Sequence, residues 1–286
     1  MSRPVGSDAK RLGVSQFGLL GRAFTPQQAE HIEALGFGAV WVGGSPAAEL
    51  AWVEPILKVT TTLQVATGIV NIWSAAASSV AESFHRIERI YPGRFRLGIG
   101  AGHPESAKRY DKPYEALVRY LDQLDNYGVP PDRRVVAGLG PRVVGLSAQR
   151  SAGVIQYMTT PGQTFEVRKR IGPSAFVAVG QPVILTLGSN DARVAAREYL
   201  TKYLDRVNYR KNWKRLGFTD SDIGHPGSDH LIDAMVAHGS AEAVAARLHE
   251  HLDAGADHIA VQALTPIANQ IPALVELAGA LGLKRA

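Results

Sequence analysis

The sequence predicts a (β/α)8 TIM barrel with a helical insertion between its seventh and eighth strands. Eight short apolar runs of strand character alternate with helical stretches along 286 residues. That length suits one barrel of ~250 residues plus an insertion. Glycines gather at the ends of those runs, and the stretch 189–256 is too long for a single crossover. A doubly wound sheet also alternates strand and helix, but such sheets usually carry about six strands, and no GxGxxG opens the first crossover here.

The first strand is read at Leu12–Phe17, with Gly18 after it. Thr25-Pro26 supplies an N-cap and an N1 proline, and the helix Gln27–Leu35 stops at Gly36. Ala39–Val42 is the second strand, closed by Gly43-Gly44. The helix Pro46–Thr60 leads to a third strand at Leu63–Val70. The helix Ala76–Tyr91 stops at Pro92-Gly93. The fourth strand is the plainest: Phe95, Leu97 and Ile99 alternate with Arg96, Gly98 and Gly100, a period of two. It runs into Ala101, Gly102, His103 and Pro104. The helix Tyr114–Leu124, the strand Val135–Leu139, the helix Arg142–Ala152 and the strand Val154–Met158 follow. Thr164–Ile171 is a short helix, and Val183–Leu187 is the seventh strand. The insertion, about 189–256, holds helices at Asn190–Leu204, Val207–Leu216, Leu231–Ala237 and Ala241–Ala254. His258–Gln262 is the eighth strand, and the helix Ile267–Gly282 ends the pattern. Residues 1–286 read as a single domain.

Apolar residues make up 45% and charged residues 20% of the chain, as in a globular protein with a core. It contains no cysteine, which excludes disulfides and thiolate metal sites. No run of ~18 apolar residues is present, so no membrane span is expected. Met1–Lys10 is polar and lacks the apolar centre of a signal peptide, so a cytoplasmic protein is expected. The net charge is +5. One basic cluster stands out, Arg206, Arg210, Lys211, Lys214 and Arg215, but no nucleic-acid-binding motif surrounds it. A small anionic molecule accounts for the charge more simply.

In a barrel, sites are built at the C-terminal ends of the strands. Here those ends are rich in glycine and nearly free of acids. No paired carboxylates, no HExxH and no GxSxG occur there, which argues against glycosidase, zinc-protease and serine-hydrolase chemistry. Gly138, Leu139 and Gly140 precede one helix, and Thr159 and Thr160 precede another. Helix N-termini accept phosphate. Bare backbone and aromatic residues suit a large flat ligand with a phosphate on its tail.

Several stretches carry a family resemblance: GFGAVWVGG at Gly36, VATGIVNIW at Val65, GRFRLGIGAGH at Gly93, AGLGPRVVGLSAQRSAG at Ala137, NYRKNWKRLGF at Asn208 and HLDAGADHIAVQAL at His251. Together they resemble the luciferase-like flavin and deazaflavin barrel enzymes, above all the oxidoreductases that use coenzyme F420. The resemblance implies a hydride-transferring F420, or alternatively FMN, at the barrel mouth, a small organic substrate, and a homodimer. It implies a non-proline cis peptide at Gly68–Ile69, with Asn71 beside the cofactor and Ala101 and Gly102 facing it. It places the phosphate at Gly138, Leu139, Gly140, Thr159 and Thr160. The sugar-phosphate dehydrogenases of that family use a His after the second strand and a Glu after the fourth. This chain has Ser45 and His103 there, so sugar-phosphate oxidation is not expected.

His103 titrates near neutral pH when unperturbed and is the candidate catalytic residue. It also reads as a loop cap. Asn71 reads as a ring contact or as a partner for the bulge backbone. Thr159 and Thr160 read as phosphate ligands or plain N-caps. Trp41 and Trp52 read as core, and Trp213 as part of a solvated helix face or a lid. Three functions fit: an F420-dependent oxidoreductase, an FMN-dependent monooxygenase, and a non-catalytic cofactor-binding barrel.

Overall fold

A computed structural model describes residues 15–106, 110–185, 189–264 and 267–284. Eight parallel strands close into a barrel. They are β1 (Phe17–Gly21), β2 (Ala39–Val42), β3 (Gln64–Thr67), β5 (Phe95–Gly100), β6 (Arg134–Ala137), β7 (Gly153–Tyr157), β8 (Phe176–Leu185) and β10 (His258–Ala263). The ring closes where β1 pairs with β10 and β10 with β8. A two-residue strand, β4 (Val70–Asn71), continues β3 beyond an interruption and pairs with the end of β5.

Alternation decides what faces where. In β5, Phe95, Leu97 and Ile99 belong to the apolar layer between barrel and helices. Arg96, Gly98 and Gly100 therefore point into the barrel. The interior is filled by alanines, β-branched and aromatic side chains, among them Ala39, Trp41, Ala66, Val135, Ile155, Phe176, Ala178 and Ala260. Trp41 is core, as read. Its Nε1–H donates to His258 Nε2 at 2.9 Å, so His258 carries its proton on Nδ1 and donates it to Ser15 O at 2.6 Å. Burial pushes the pKa of His258 down to about 4.

Between the strands run α1 (Pro26–Ala34), α2 (Val53–Val59), α3 (Ala77–Ile90), α4 (Pro113–Asn126), α5 (Pro141–Arg150) and α6 (Pro161–Ile171). After β8 comes the insertion: α7 (Ser189–Leu204), α8 (Val207–Arg215), α9 (Asp220–Ile223), α10 (Asp229–Met235) and the short strand β9 (Ala237–Gly239), which pairs with β8. The insertion has its own apolar core of Ala196, Leu200, Leu204, Tyr209, Trp213, Leu231, Ile232 and Met235, seated on Met158 and Ile184. α11 (Ala241–Asp253) buries Val244, Ala245 and Leu248 in the barrel's own layer. The insertion's helices thus end with α10, short of the expected 256. α12 (Ile267–Ala280) completes the ring of helices.

Several element readings shift. The first strand begins at Phe17, five residues after the run at Leu12, whose residues 12–14 lie outside the described set. Its exit is consequently Gly21-Arg22, which brings a cation to the mouth. The second helix is shorter than Pro46–Thr60. The seventh strand starts at Phe176 because FVAVGQPVIL is continuous strand. Gly180-Gln181-Pro182 disguises its first half in the sequence. The expected end of that strand, Thr186 and Leu187, lies outside the described residues. Trp213 is fully buried in the insertion core, neither solvated nor a lid. Among the described residues, no helix is long and apolar enough to cross a membrane, and no cluster of metal-ligating side chains forms.

Candidate active site at the barrel mouth

The interruption between β3 and β4 holds a cis peptide at Gly68–Ile69, the position the resemblance implied. The chain there is pressed against β5. A Cβ added to Gly98 would lie 1.9 Å from Thr67 O, and one on Gly100 would lie 3.2 Å from Ile69 Cγ1. The bare backbone of β5 is therefore met by the chain itself, at Gly98 by Thr67 and at Gly100 by Ala137 Cβ at 3.0 Å as well as Ile69. Thr67 locks the contact: its hydroxyl donates to Gly98 O at 2.7 Å and accepts from Gly98 N–H at 2.8 Å.

Above this contact, Asn71 and Trp73 bind the end of β4 to the end of β5. Asn71 Oδ1 accepts from Trp73 N–H at 3.0 Å, and Trp73 Nε1–H donates to Ala101 O at 2.8 Å. Gly102 has a φ of +61°, and a Cβ there would meet Asn71 Nδ2 at 2.8 Å. Glycine is required twice over at this position. Asn71 thus satisfies bulge backbone while its amide borders Gly102. Gly68, Ile69, Ala101 and Gly102 are half-buried, so this sector of the mouth stays accessible.

His103 follows. Its ring lies 4.9 Å from that of Tyr209 on α8, and Asn208 Nδ2 is 3.5 Å from His103 Nδ1. Asn208 also donates to Gly102 O at 3.0 Å. Burial lowers the histidine's pKa, and the nearby Arg206 charge adds to that, while Glu105 opposes it. The imidazole is therefore neutral at physiological pH and able to give or take one proton. Glu105 accepts from Val207 N–H at 2.9 Å, and Arg206 donates to Ser106 Oγ at 2.6 Å. These bonds hold the His103 loop against the start of α8.

The proposed phosphate loops divide. Gly138 is buried, and its N–H is used by Ile155 O. Leu139 and Gly140 are half-buried, and Gly140 caps α5 without a side-chain partner. Thr160 is a plain N-cap of α6, accepting from Gln163 N–H at 3.3 Å. Thr159 is fully buried, and its hydroxyl donates to Gln163 Oε1 at 2.5 Å. Both threonine hydroxyls are thus engaged by the protein. Gln163 in turn exchanges two amide hydrogen bonds with Asn212 on α8, at 2.7 and 3.2 Å. Asn212 Oδ1 accepts from Arg215 Nη2 at 2.8 Å. That chain sets Arg215 beside Gly140, with Nη2 3.9 Å from where a Cβ would stand. Among the described residues, no carboxylate pairs with Arg215.

A third group escaped the sequence reading. Tyr157 from β7 and Gln262 from β10 meet Tyr199 and Tyr203 from α7. Tyr157 donates to Gln262 Oε1 at 2.6 Å and lies 2.5 Å from the Tyr199 hydroxyl, which is 3.1 Å from that of Tyr203. Tyr203 meets Tyr209 edge to face at 5.2 Å. Burial pushes the Tyr157 phenol well above its ordinary pKa, so it stays protonated. The i, i+4 spacing of Tyr199 and Tyr203 was the available signal. Nothing in the sequence said that the helix carrying them faces the mouth.

Residues 20–127 match the family model described as luciferase-like monooxygenase. No protein of curated function matches the sequence. Among solved structures, an F420-dependent secondary alcohol dehydrogenase in complex with an F420–acetone adduct is similar at 17% identity and a TM-score of 0.72, covering 94% of this chain and 99% of that one. The coenzyme F420-dependent tetrahydromethanopterin reductase from Methanopyrus kandleri gives 13%, 0.66, and coverage of 95% and 100%. The FMN complex of the oxygenating constituent of 3,6-diketocamphane monooxygenase from Pseudomonas putida, a type II Baeyer–Villiger enzyme, gives 14%, 0.65, and coverage of 96% and 100%. These likenesses establish the shared barrel. The matched segment runs from the end of β1 through the bulge, β5 and the His103 loop to the end of α4, and over that part the chain is similar to the luciferase-like monooxygenases.

Proposed function

We propose that the protein is an F420-dependent oxidoreductase that moves a hydride between the deazaflavin and a small organic substrate. What carries this reading is a pairing on one barrel mouth: a neutral histidine beside the bulge, and a carboxylate-free arginine at a helix N-terminus. Hydride transfer to or from a carbonyl requires one accompanying proton, and His103 is placed to handle it. A cofactor phosphate requires backbone N–H groups and a cation, which the start of α5 and Arg215 supply together.

When bound, the deazaflavin supplies two-electron hydride chemistry. Gly68, Ile69, Asn71, Ala101 and Gly102 would border its ring. Leu139, Gly140 and Arg215 would hold its phosphate, with Gly138, Thr159 and Thr160 supporting those loops from behind. His103 Nε2 is the atom that gives or takes the proton, because Nδ1 faces Asn208. Tyr157, Tyr199 and Tyr203 cover the β7–β10 side and keep bulk water from it.

An FMN-dependent monooxygenase is the second reading, supported by the family description and by the FMN-bound barrel of the same architecture. Titrating the purified protein with each cofactor separates the two. F420 binding at low micromolar concentration is expected, and FMN binding without F420 binding removes the first reading. Tight F420 binding with no turnover on enones, aldehydes or nitro compounds favours a non-catalytic barrel.

A further inference from the structure

Gln262 on β10 and Tyr157 on β7 stand two residues beyond Ala260 and Ile155, which line the barrel interior. Alternation therefore turns both toward the barrel axis, and both are half-buried. A run of three phenols ends on the Gln262 amide. Tyr157 spends its one hydroxyl proton on Gln262 Oε1 at 2.6 Å. In the 2.5 Å contact between Tyr157 and Tyr199, Tyr199 is consequently the donor, and it shares its proton with Oε1 at 3.1 Å. Tyr203 then donates to Tyr199 at 3.1 Å. Burial raises the pKa of Tyr157 and of Tyr203, which keeps both phenols protonated as donors. The chain runs one way and ends on a carbonyl, and each bond polarises the next.

Fixing Oε1 fixes the other end of the amide. Nε2 carries two N–H donors, and among the described residues neither has an acceptor, since both bonds of this side chain are made by Oε1. β1 and β10 run in register through Leu19 and Val261, so Leu20 stands beside Gln262. Leu20 Cδ1 lies 3.4 Å from where a Cβ on Gly68 would stand, and its Cδ2 3.2 Å from one on Gly180. Gln262 is thus one side chain away from the cis-peptide bulge. The floor between them, Leu20, Ile69 and Ala137, is apolar. On the insertion side, the Tyr157 and His103 rings pack against the same buried Tyr209, at 6.4 and 4.9 Å. An apolar floor with one fixed N–H donor suits an uncharged compound that offers an acceptor oxygen.

We propose that Gln262 selects the substrate, an uncharged ketone or enone whose carbonyl oxygen accepts from Gln262 Nε2 and whose body lies on Leu20. Tyr157 and Tyr199 are positioning residues that hold the amide in that sense. This rests on the oxidoreductase reading above for the reaction.

The test uses protein saturated with oxidised F420, to which a ketone gives no hydride. Two probes share one shape: acetophenone, and α-methylstyrene, which has C=CH2 in place of C=O. Gln262→Glu keeps an acceptor for Tyr157 and removes the donor, and Gln262→Met removes it without adding charge. Each is expected to lower the ratio of acetophenone to α-methylstyrene affinity about tenfold in NMR titrations, with F420 affinity unchanged. The infrared carbonyl stretch of bound, 13C-labelled acetophenone is expected to lie lower in the wild type than in either variant. Tyr157→Phe keeps the donor but releases the amide, and is expected to lower the ratio about threefold. An unchanged ratio and stretch in the Gln262 variants overturns the proposal, as does a wild type that binds no acetophenone. An unchanged ratio in Tyr157→Phe overturns the positioning role. Loss of F420 affinity in both Gln262 variants assigns the amide to the cofactor and overturns the proposal as well. A wild type that binds no F420 removes the oxidoreductase reading and this proposal together, whereas F420 binding without ketone discrimination removes this proposal alone.

Discussion

On the β3–β5 side of the mouth, backbone packs on backbone. A Cβ on Gly98 would stand 1.9 Å from Thr67 O, so even one methyl group has no room. On the insertion side, long side chains bridge separate elements: Gln163 to Asn212, Asn212 to Arg215, Tyr157 to Gln262. The first side is shaped by the absence of side chains and the second by their hydrogen bonds. The bulge side should therefore fail when anything is added, and the insertion side when anything is removed.

The largest effect is expected at Gly98. Gly98→Ala should destabilise the protein by about 3 kcal/mol or more, because the obstacle is backbone and not a flexible side chain. Gly279 in α12 is the control. It has nothing within 4 Å of its Cβ position, and Gly279→Ala should stabilise by about 0.5–1 kcal/mol. Paired thermal melts of the two variants read this directly, and equal behaviour would dissolve the contrast.

Acid should act next. Burial lowers the pKa values of His251 and His258 to about 4. His251 accepts from Thr164 Oγ1 through Nδ1 at 2.9 Å and donates to Gln181 through Nε2 at 3.2 Å. Gln181 in turn holds Met235 O at the end of α10. The unfolded chain binds these protons near pH 6.5 and the folded chain only near pH 4, so stability should fall as pH drops through that window. At full extent the loss is roughly 3 kcal/mol per histidine. Urea titrations at pH 7, 5.5 and 4.5 should show it, and His258→Gln should remove part of the slope. A flat profile would mean that neither ring is held neutral.

Smaller effects belong to the side-chain bridges. Asn212→Ala strips Gln163 of its reciprocal partner inside a buried site and should cost about 1–3 kcal/mol. Thr160→Ala removes an N-cap hydrogen bond and should cost about 1 kcal/mol. If Thr160→Ala proves the more costly of the two in chemical denaturation, the α8 bridge is less important than its geometry implies.

The bulge side was readable beforehand because glycines at alternate positions of one strand leave a visible pattern. That pattern marked a real close approach: the chain's own Thr67 meets Gly98, and Ala137 and Ile69 meet Gly100. His103 was legible as the titratable group at that strand exit. The insertion side was not. Tyr199, Tyr203, Asn212 and Arg215 lie on amphipathic helices, and periodicity says which face is apolar but not what that face meets. Tyr157 and Gln262 are 105 residues apart in sequence, and only barrel closure brings them together. Arg22 was missed because the first strand was placed too early, which left its exit without a charge.

Calorimetric titration of F420 into the wild-type protein and into Arg215→Gln joins the two sides in one experiment, since the bulge would border the ring and the insertion's arginine would hold the phosphate. F420 should bind the wild type at low micromolar concentration, and the variant should bind about tenfold more weakly with an unchanged melting temperature. An undiminished affinity in Arg215→Gln, or FMN binding where F420 does not, would contradict the assignment of this mouth to a phosphate-bearing deazaflavin.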